Sequence, residues 1–373
     1  MRIAMFGHKR VPSREGGVEI VVEELSTRMV ALGHDVICYN RRGHHVGGEQ
    51  YDTQAAKNHR GVKLKSVLTI DKKGLAAVTS SFFAAVCASF SKADVVHIHA
   101  EGPAFMSWIP KLFGKKVIVT IHGLDWKREK WSNGFAAKYI HWGEKAAVRF
   151  ADEIIVLSES VQRYFQDTYG RVTKLIYNGV KKPQRQDAKL ITETYGLLKD
   201  TYILFLGRLV PEKGIHYLIQ AYKDLKTEKK LVIAGSVSDS DDYCSQLLTL
   251  ANEDNRILFT GFVQGQVLEE LYSNAYIYVL PSDLEGMPLS LLEAMSYGNC
   301  CVVSDIPECA EVVKNAGITF KSGDVSALRT CLQALCHAPE QVADYRVHAS
   351  DYVCNQYNWD DVAAETLKLY EEK

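Results

Sequence analysis

Two carboxylates eight positions apart, Glu285 and Glu293, enclose Gly286-Met287-Pro288 and the apolar run Leu289-Ser290-Leu291-Leu292. Ionised carboxylates accept hydrogen bonds from vicinal hydroxyls, such as those of a sugar or a ribose. A helix opening near Pro288 suits a residue whose missing N–H costs nothing in a first turn. The unpaired amides of that turn could face an anion. Taken alone, the spacing also fits one surface glutamate and one ordinary helical glutamate. A second cluster, Gly207-Arg208-Leu209-Val210-Pro211-Glu212-Lys213-Gly214, sets two cations five positions apart after an apolar run. A planar guanidinium fork and a compact ammonium suit a diphosphate whose charge grows as a bond breaks. The plainer alternative is a surface loop in which Glu212 pairs with either cation. A third candidate, His122, follows Val119-Thr120-Ile121 and precedes Gly123. His97 and His99 close a neighbouring apolar run, and alternation puts both on one face, where they could line a cleft. No third metal ligand is evident beside them.

These residues need elements to hold them. In the first half, strands are predicted at Ile3–Phe6, Asp35–Tyr39, Val62–Ser66, Asp94–Ile98, Lys116–Ile121, Glu153–Leu157 and Lys174–Tyr177. Helices such as Val18–Leu32 and Lys127–Phe150 fall between them. The rhythm restarts with strands at Tyr202–Leu206, Lys230–Ala234, Arg256–Phe259, Tyr276–Leu280, Cys300–Ser304 and Gly317–Phe320, and ends on a helix over Trp359–Glu371. This is the βαβ pattern of two α/β, Rossmann-like, doubly wound parallel-sheet domains. The predicted division is 1–180, a linker 181–187, 188–355, and a last segment 356–373. In such sheets ligands gather at the carboxyl ends of the strands. Arg208, Lys213, His122 and Glu285 all fall there. Gly16-Gly17 follows the first strand and opens a helix, so its amides could approach a phosphate; a glycine turn with no ligand fits equally.

The 373 residues exceed one typical core, and 47% hydrophobic with 24% charged is an ordinary globular composition. Nine cysteines without a C-x-x-C pair point to buried thiols in a reducing, cytoplasmic setting. The chain begins directly with a strand pattern, and no apolar run reaches membrane-spanning length. Net charge is −1, yet residues 1–180 hold 26 Lys and Arg against 17 Asp and Glu, +9, and the remainder is −10. A basic half joined to an acidic half implies different partners. No nucleic-acid module accompanies the scattered cations.

Asp239-Ser240-Asp241-Asp242 contains the D-x-D spacing of divalent-ion sites, but it reads as a solvated loop with an N-cap aspartate. Lys72-Lys73-Gly74 leads into the apolar helix Leu75–Phe90, and Trp126, Lys127, Arg128, Lys130 and Trp131 form a second basic, aromatic cluster. Both have the composition of a membrane-surface contact, and the helix reads equally as core.

Taken in order, Gly16-Gly17, Gly33-His34-Asp35-Val36, Thr120-Ile121-His122-Gly123, Tyr177-Asn178-Gly179-Val180, Gly207 to Gly214, Gly261-Phe262-Val263 and Glu285 to Glu293 resemble the family 4 retaining glycosyltransferases. Lys9-Arg10-Val11-Pro12 with Gly16-Gly17-Val18-Glu19 is similar to bacterial polysaccharide and rhamnosyltransferase-like members. The resemblance implies a GT-B fold, two Rossmann-like domains facing a central cleft, with the last helix crossing back to the first domain. It implies transfer of a hexose-type sugar from a nucleoside diphosphate sugar to a saccharide or lipid-diphosphate-linked acceptor, with retained anomeric configuration and no metal or other cofactor. Arg208 and Lys213 are implied to hold the diphosphate and Glu293 the ribose. Glu285 with the backbone of Gly286, Met287 and Pro288 would hold the sugar, the Leu289 amide a phosphate, and Val263 the base. Gly207 closes the strand beside them, Gly16 and Gly17 approach the diphosphate, and His122 meets the sugar. Met287-Pro288 replaces the Gly-Phe-Gly-like segment common in relatives, which leaves the donor open. The architecture is shared by sugar-nucleotide 2-epimerases, for which His97, His99, Glu101 and Asp125 could serve as acid/base groups, and a silent nucleotide-sugar-binding module is the third reading.

Overall fold

The computed structural model describes residues 1–43, 57–72, 74–127, 135–236, 241–252 and 254–372. Lys73, Arg128, Lys130, Trp131 and Asp239 therefore lie outside the described residues, as does most of the rejected D-x-D segment. The chain divides into two compact units, Met1–Asn178 with Trp359–Lys373, and Gly179–Asn358.

The first unit is built on strands β1 (Arg2–Phe6), β2 (Asp35–Arg41), β3 (Asn58–His59), β4 (Val62–Val67), β5 (Val95–His99), β6 (Lys116–Ile121), β7 (Glu153–Val156) and β8 (Lys174–Leu175). Their order in the sheet is β3-β4-β2-β1-β5-β6-β7-β8. All pairs are parallel except β3 with β4. The strands are near-continuous runs of Val and Ile because helices cover both faces. The order reverses between β1 and β5, so the connections leaving their carboxyl ends diverge to opposite sides at a switch point. Gly7 ends β1 at φ +110°, and a Cβ there would sit 2.1 Å from the His99 carbonyl oxygen. Only glycine lets the two strand ends run this close.

The second unit contains β9 (Tyr202–Leu206), β10 (Lys230–Ala234), β11 (Ile257–Gly261), β12 (Ile277–Leu280), β13 (Cys300–Ser304) and β14 (Ile318–Phe320). The order β11-β10-β9-β12-β13-β14 is parallel throughout. Here the switch point lies between β9 and β12. Gly214 holds φ +63°, and a Cβ on it would meet the Pro281 carbonyl at 2.0 Å. The loops after β9 and β12 are thereby pressed together.

Three sequence expectations change. The helix predicted from Lys127 is described from Phe135 to Phe150, with a short 3-10 turn at Asp125–Lys127. Pro288 is not inside the first turn: the helix is Leu289–Ser296, and Pro288 precedes it with extended backbone at φ −75°, ψ 102°. Its carbonyl accepts from Leu291 and Leu292 at 3.1 and 3.2 Å. The β3–β4 hairpin was not expected, because two residues of strand carry no readable alternation. The last helix runs over Trp359–Glu371 and packs within the first unit, its Asp360 bonding Arg28 Nε at 2.6 Å.

Candidate active site

In the second unit, Gly207 continues β9 through a bond from its amide to the Ala234 carbonyl at 3.0 Å. Arg208 follows, half-buried, and Pro211–Lys213 forms one 3-10 turn that carries Lys213 back toward the loop after β12. Lys213 Nζ donates to Glu285 Oε1 at 2.5 Å, with the two side chains 13% and 8% exposed. Ser282 Oγ donates to the same oxygen at 2.7 Å. The ammonium expected at a diphosphate and the carboxylate expected at a sugar are thus one ion pair. Glu212 takes another part, its carbonyl accepting from the Asp283 amide at 2.9 Å.

Gly286, Met287, Pro288 and Leu289 are buried behind this pair. The start of the helix Leu289–Ser296 is tied to β9: the Tyr278 hydroxyl lies 2.9 Å from Ser290 Oγ and 3.3 Å from the Leu206 carbonyl. One turn on, Glu293 is half-buried, and the Tyr272 hydroxyl lies 3.3 Å from its Oε2. Tyr272 stacks on Tyr297 at 5.3 Å, and burial holds its phenol well above the usual range, so it stays a donor. Val263 is half-buried in the turn between β11 and the helix Gly265–Asn274. The switch-point crevice of this sheet therefore collects Arg208, Lys213, Glu285, the Leu289 helix start and Glu293. Ser282, Tyr272 and Tyr278 are the supporting residues that the residue-type reading missed. Ser282 had a weak signal, standing right after a strand and three before Glu285.

In the first unit, Gly16 caps the helix Gly17–Ala31 with extended backbone at φ −163°. A Cβ on it would meet Glu19 Oε2 at 2.5 Å, so the absent side chain makes room for that carboxylate. Glu19 Oε1 accepts the Lys9 amide at 2.8 Å. A carboxylate at this N-terminus complements the helix dipole.

His122 is half-buried after β6, and its Nε2 lies 3.1 Å from Nδ1 of His99. His97 and His99 share one face, as alternation requires, with ring centroids 4.1 Å apart. Neither lines a cleft: both are fully buried. His97 is held by the Tyr370 hydroxyl at 2.6 Å and Thr120 Oγ1 at 2.7 Å. Burial, with His122 close by, lowers its pKa to about 3. Burial and the neighbouring His97, His122 and His8 likewise keep His99 neutral. Among the described residues no group of three His, Cys, Asp or Glu is arranged to hold a metal ion.

Beside them lies a pair of buried carboxyls. Glu101 Oε2 accepts the Asp125 amide at 2.7 Å. Glu144 Oε2 accepts from the Tyr169 and Tyr164 hydroxyls at 2.7 and 3.1 Å and from His141 Nδ1 at 3.3 Å. Treated as two carboxylates, the pair leaves Oε1 of both residues buried without a donor. Burial, with Asp125 and Glu144 nearby, holds the Glu101 carboxyl well above the usual range. A proton kept on Glu101 and shared with Glu144 would satisfy both oxygens.

The family model "Glycosyl transferases group 1" matches residues 189–351, and "Glycosyltransferase Family 4" matches residues 15–182. The chain is 29% identical to an uncharacterized glycosyltransferase of Methanocaldococcus jannaschii, over 99% of this chain and 98% of that protein. It is 32% identical to O-antigen chain mannosyltransferase B of Escherichia coli over 48% of each chain. Anabaena HepE, solved in complex with UDP-glucose, superposes with a TM-score of 0.80 over 99% of both chains at 18% identity, a likeness of fold. With the two family models spanning the two units and the paired parallel sheets matching, the chain belongs to the family 4 glycosyltransferases and has the GT-B fold.

Proposed function

We propose that this glycosyltransferase moves a hexose-type sugar from a nucleoside diphosphate sugar to an acceptor hydroxyl with retention, without a metal, in the synthesis of a cell-surface saccharide. The observation that carries this is the convergence of Lys213, Glu285, the Leu289 helix start and Glu293 at one switch-point crevice. Arg208 and Lys213 hold the leaving diphosphate, aided by the Leu289 amide; in the first unit, Gly16 and Gly17 offer backbone amides to a phosphate. Glu293 takes the ribose hydroxyls, Val263 the base, and Glu285 with Gly286, Met287 and Pro288 the sugar. His122 hydrogen-bonds the sugar. As the bond from C1 to the diphosphate oxygen breaks, a bond forms from C1 to the acceptor oxygen on the same face. The acceptor proton passes to the departing diphosphate. Side-chain cations and the helix start supply the stabilising charge. The names of the relatives, a UDP-glucose complex and an O-antigen mannosyltransferase, favour a sugar nucleotide and a surface glycan.

The burial of His97, His99 and Glu101 supports transfer over 2-epimerisation, because three of the four acid/base candidates are sealed and only Asp125 is half-buried. The test is a panel of UDP-, GDP-, dTDP- and ADP-hexoses scored by thermal shift and by slow hydrolysis, with and without chelator. One donor raises the melting temperature and is hydrolysed, and chelator changes neither. An epimerised nucleotide sugar formed without acceptor, or binding with no turnover across acceptors, overturns the reading.

The acceptor side is proposed to work on an anionic membrane surface in the cytoplasm. The helices Leu75–Ser89 and Trp108–Leu112 present Phe82, Phe90, Leu112 and Phe113, with Phe90 74% and Leu112 73% exposed. Phe90 and Phe113 pack at 4.7 Å, and Lys72, Lys92 and Lys111 are exposed on the same segments. Apolar tips among lysines suit the headgroup boundary of an anionic bilayer. Among the described residues no helix is long and apolar enough to cross a membrane. The protein therefore co-floats with phosphatidylglycerol-containing vesicles but not with phosphatidylcholine alone, and salt releases it. Phe90→Ser with Leu112→Ser abolishes flotation; equal flotation on both vesicles refutes the membrane role.

A further inference from the structure

The three histidines form a row whose protons can be placed. His97 is locked, both ring nitrogens engaged by Tyr370 and Thr120. Its ring lies on His99 at 4.1 Å and 30°, which fixes the plane of the second imidazole. His99 is fully buried, and its Nδ1 meets His122 Nε2 at 3.1 Å. Its other nitrogen, Nε2, is sealed from solvent and has no partner among the described residues.

Two neutral arrangements fit the 3.1 Å contact. In one, His122 donates from Nε2, and His99 must carry its own proton on the sealed Nε2. That leaves a buried N–H without an acceptor, at a cost of about 1–3 kcal/mol. In the other, His99 donates from Nδ1, and only a lone pair is left at the sealed Nε2. Orphaned buried N–H groups are rarer than under-satisfied acceptors, so the second arrangement is favoured. A doubly protonated His99 is opposed by burial and by the imidazoles around it: His8 after β1, His97 on β5 and His122 after β6.

We propose that His99 is a positioning residue that holds His122 as the Nδ1–H tautomer by donating from its own Nδ1 to His122 Nε2. His122 then offers its ligand a fixed hydrogen-bond donor, Nδ1–H, and no ring acceptor. The group it recognises on the sugar is an oxygen lone pair, and a sugar presenting an apolar carbon there loses that bond. The consequence for the sugar rests on the reading of His122 as a sugar ligand; the tautomer does not.

The test is long-range 1H–15N spectroscopy of the full chain labelled with 15N-histidine, assigned with single-histidine variants. His122 and His99 both show a protonated Nδ1 and a bare Nε2 at about pH 8, where an ordinary imidazole is neutral. A protonated Nε2 on His122 overturns the proposal, whatever any variant does. Two replacements add a functional readout. His99→Asn keeps an N–H near the place of Nδ1, and His99→Leu removes it. The Asn variant retains at least about tenfold more kcat/KM than the Leu variant, a gap of ~1.4 kcal/mol. His99→Asp offers an acceptor instead and turns His122 to the Nε2–H form in the spectrum. Equal kcat/KM for the Asn and Leu variants, with both folded, sinks the positioning role. If the tautomer is as stated but His122→Phe turns over normally, the sugar contact fails and the proton assignment stands.

Discussion

Arg208→Ala lowers turnover by about two to three orders of magnitude, the usual loss when a group that stabilises developing charge is removed. Lys213→Ala does the same, but for two reasons that can be separated. Its ammonium is paired with Glu285, and both side chains are largely buried at 13% and 8% exposure. Removing the lysine leaves the Glu285 Oε1 with the Ser282 hydroxyl at 2.7 Å and no counter-charge from Lys213. Breaking a buried pair by removing one partner costs on the order of 3–5 kcal/mol, so Lys213→Ala also melts earlier. The same logic makes Lys213 and Glu285 non-additive: the double variant loses far less than the two single losses together. Single-turnover kinetics with the donor found by the panel, alongside melting temperatures, check this. Turnover within about threefold of the parent in both single variants removes the diphosphate assignment.

That pairing marks the boundary of what could be read from residue types. Tyr202–Leu206, Lys230–Ala234 and Cys300–Ser304 were predicted to the residue, because strands buried on both faces are unbroken apolar runs. The helix Trp359–Glu371 was equally plain, with an acidic first turn and a basic last turn around its apolar stripe. Arg208, Lys213 and Glu285 were legible as candidates because each lies in a loop after a strand, and Glu293 through its spacing from Glu285. Their partners were not. Lys213 and Glu285 are 72 positions apart, and either cation of the loop had a nearer glutamate in Glu212. Pro288 shows the local limit: a proline near a helix start fits the first turn and the cap alike, and the extended ψ of 102° decides it. For His97 the alternation was read correctly, yet alternation cannot say whether a face is solvated. Its burial comes from Tyr370, 273 positions away in the last helix. Glu101 was read as an acid/base candidate, but its proximity to Glu144 gave no sequence signal, since nothing in spacing reveals two carboxyls buried side by side.

Those two carboxyls carry the largest expected effect on stability. Glu101→Ala or Glu144→Ala strands the remaining partner and its donors in the core and destabilises the first unit by about 3–5 kcal/mol. Glu101→Gln is tolerated far better. Its amide donates toward Glu144, and its carbonyl can still accept the Asp125 amide that Glu101 takes at 2.7 Å. The pH dependence follows from the signs. Glu101 has a raised folded pKa, so its contribution is intact at low pH and is lost as pH rises from the ordinary carboxyl value through the raised one. The histidines run the other way. His8 is lowered from 6.5 to about 4 and His97 from 6.5 to about 3, both chiefly by burial, and His99 well below 6.5. Each costs stability as pH falls below 6.5, by about 1.4 kcal/mol per unit until the folded pKa is reached. Below 6.5 three histidines oppose one carboxyl, and acid destabilises; above it the raised carboxyl, and at higher pH buried groups such as the Cys38 thiol and the Tyr39 phenol, lower stability. Urea midpoints of the first unit therefore peak near pH 6.5 to 7. Glu101 acts on the part of the alkaline limb that lies below the range where thiols and phenols ionise, so Glu101→Gln flattens that part and leaves the acid limb in place. An unchanged alkaline slope in Glu101→Gln means the shared proton does not exist. A flat acid limb means that His8, His97 and His99 reach solvent, and the imidazole row behind His122 is then not sealed.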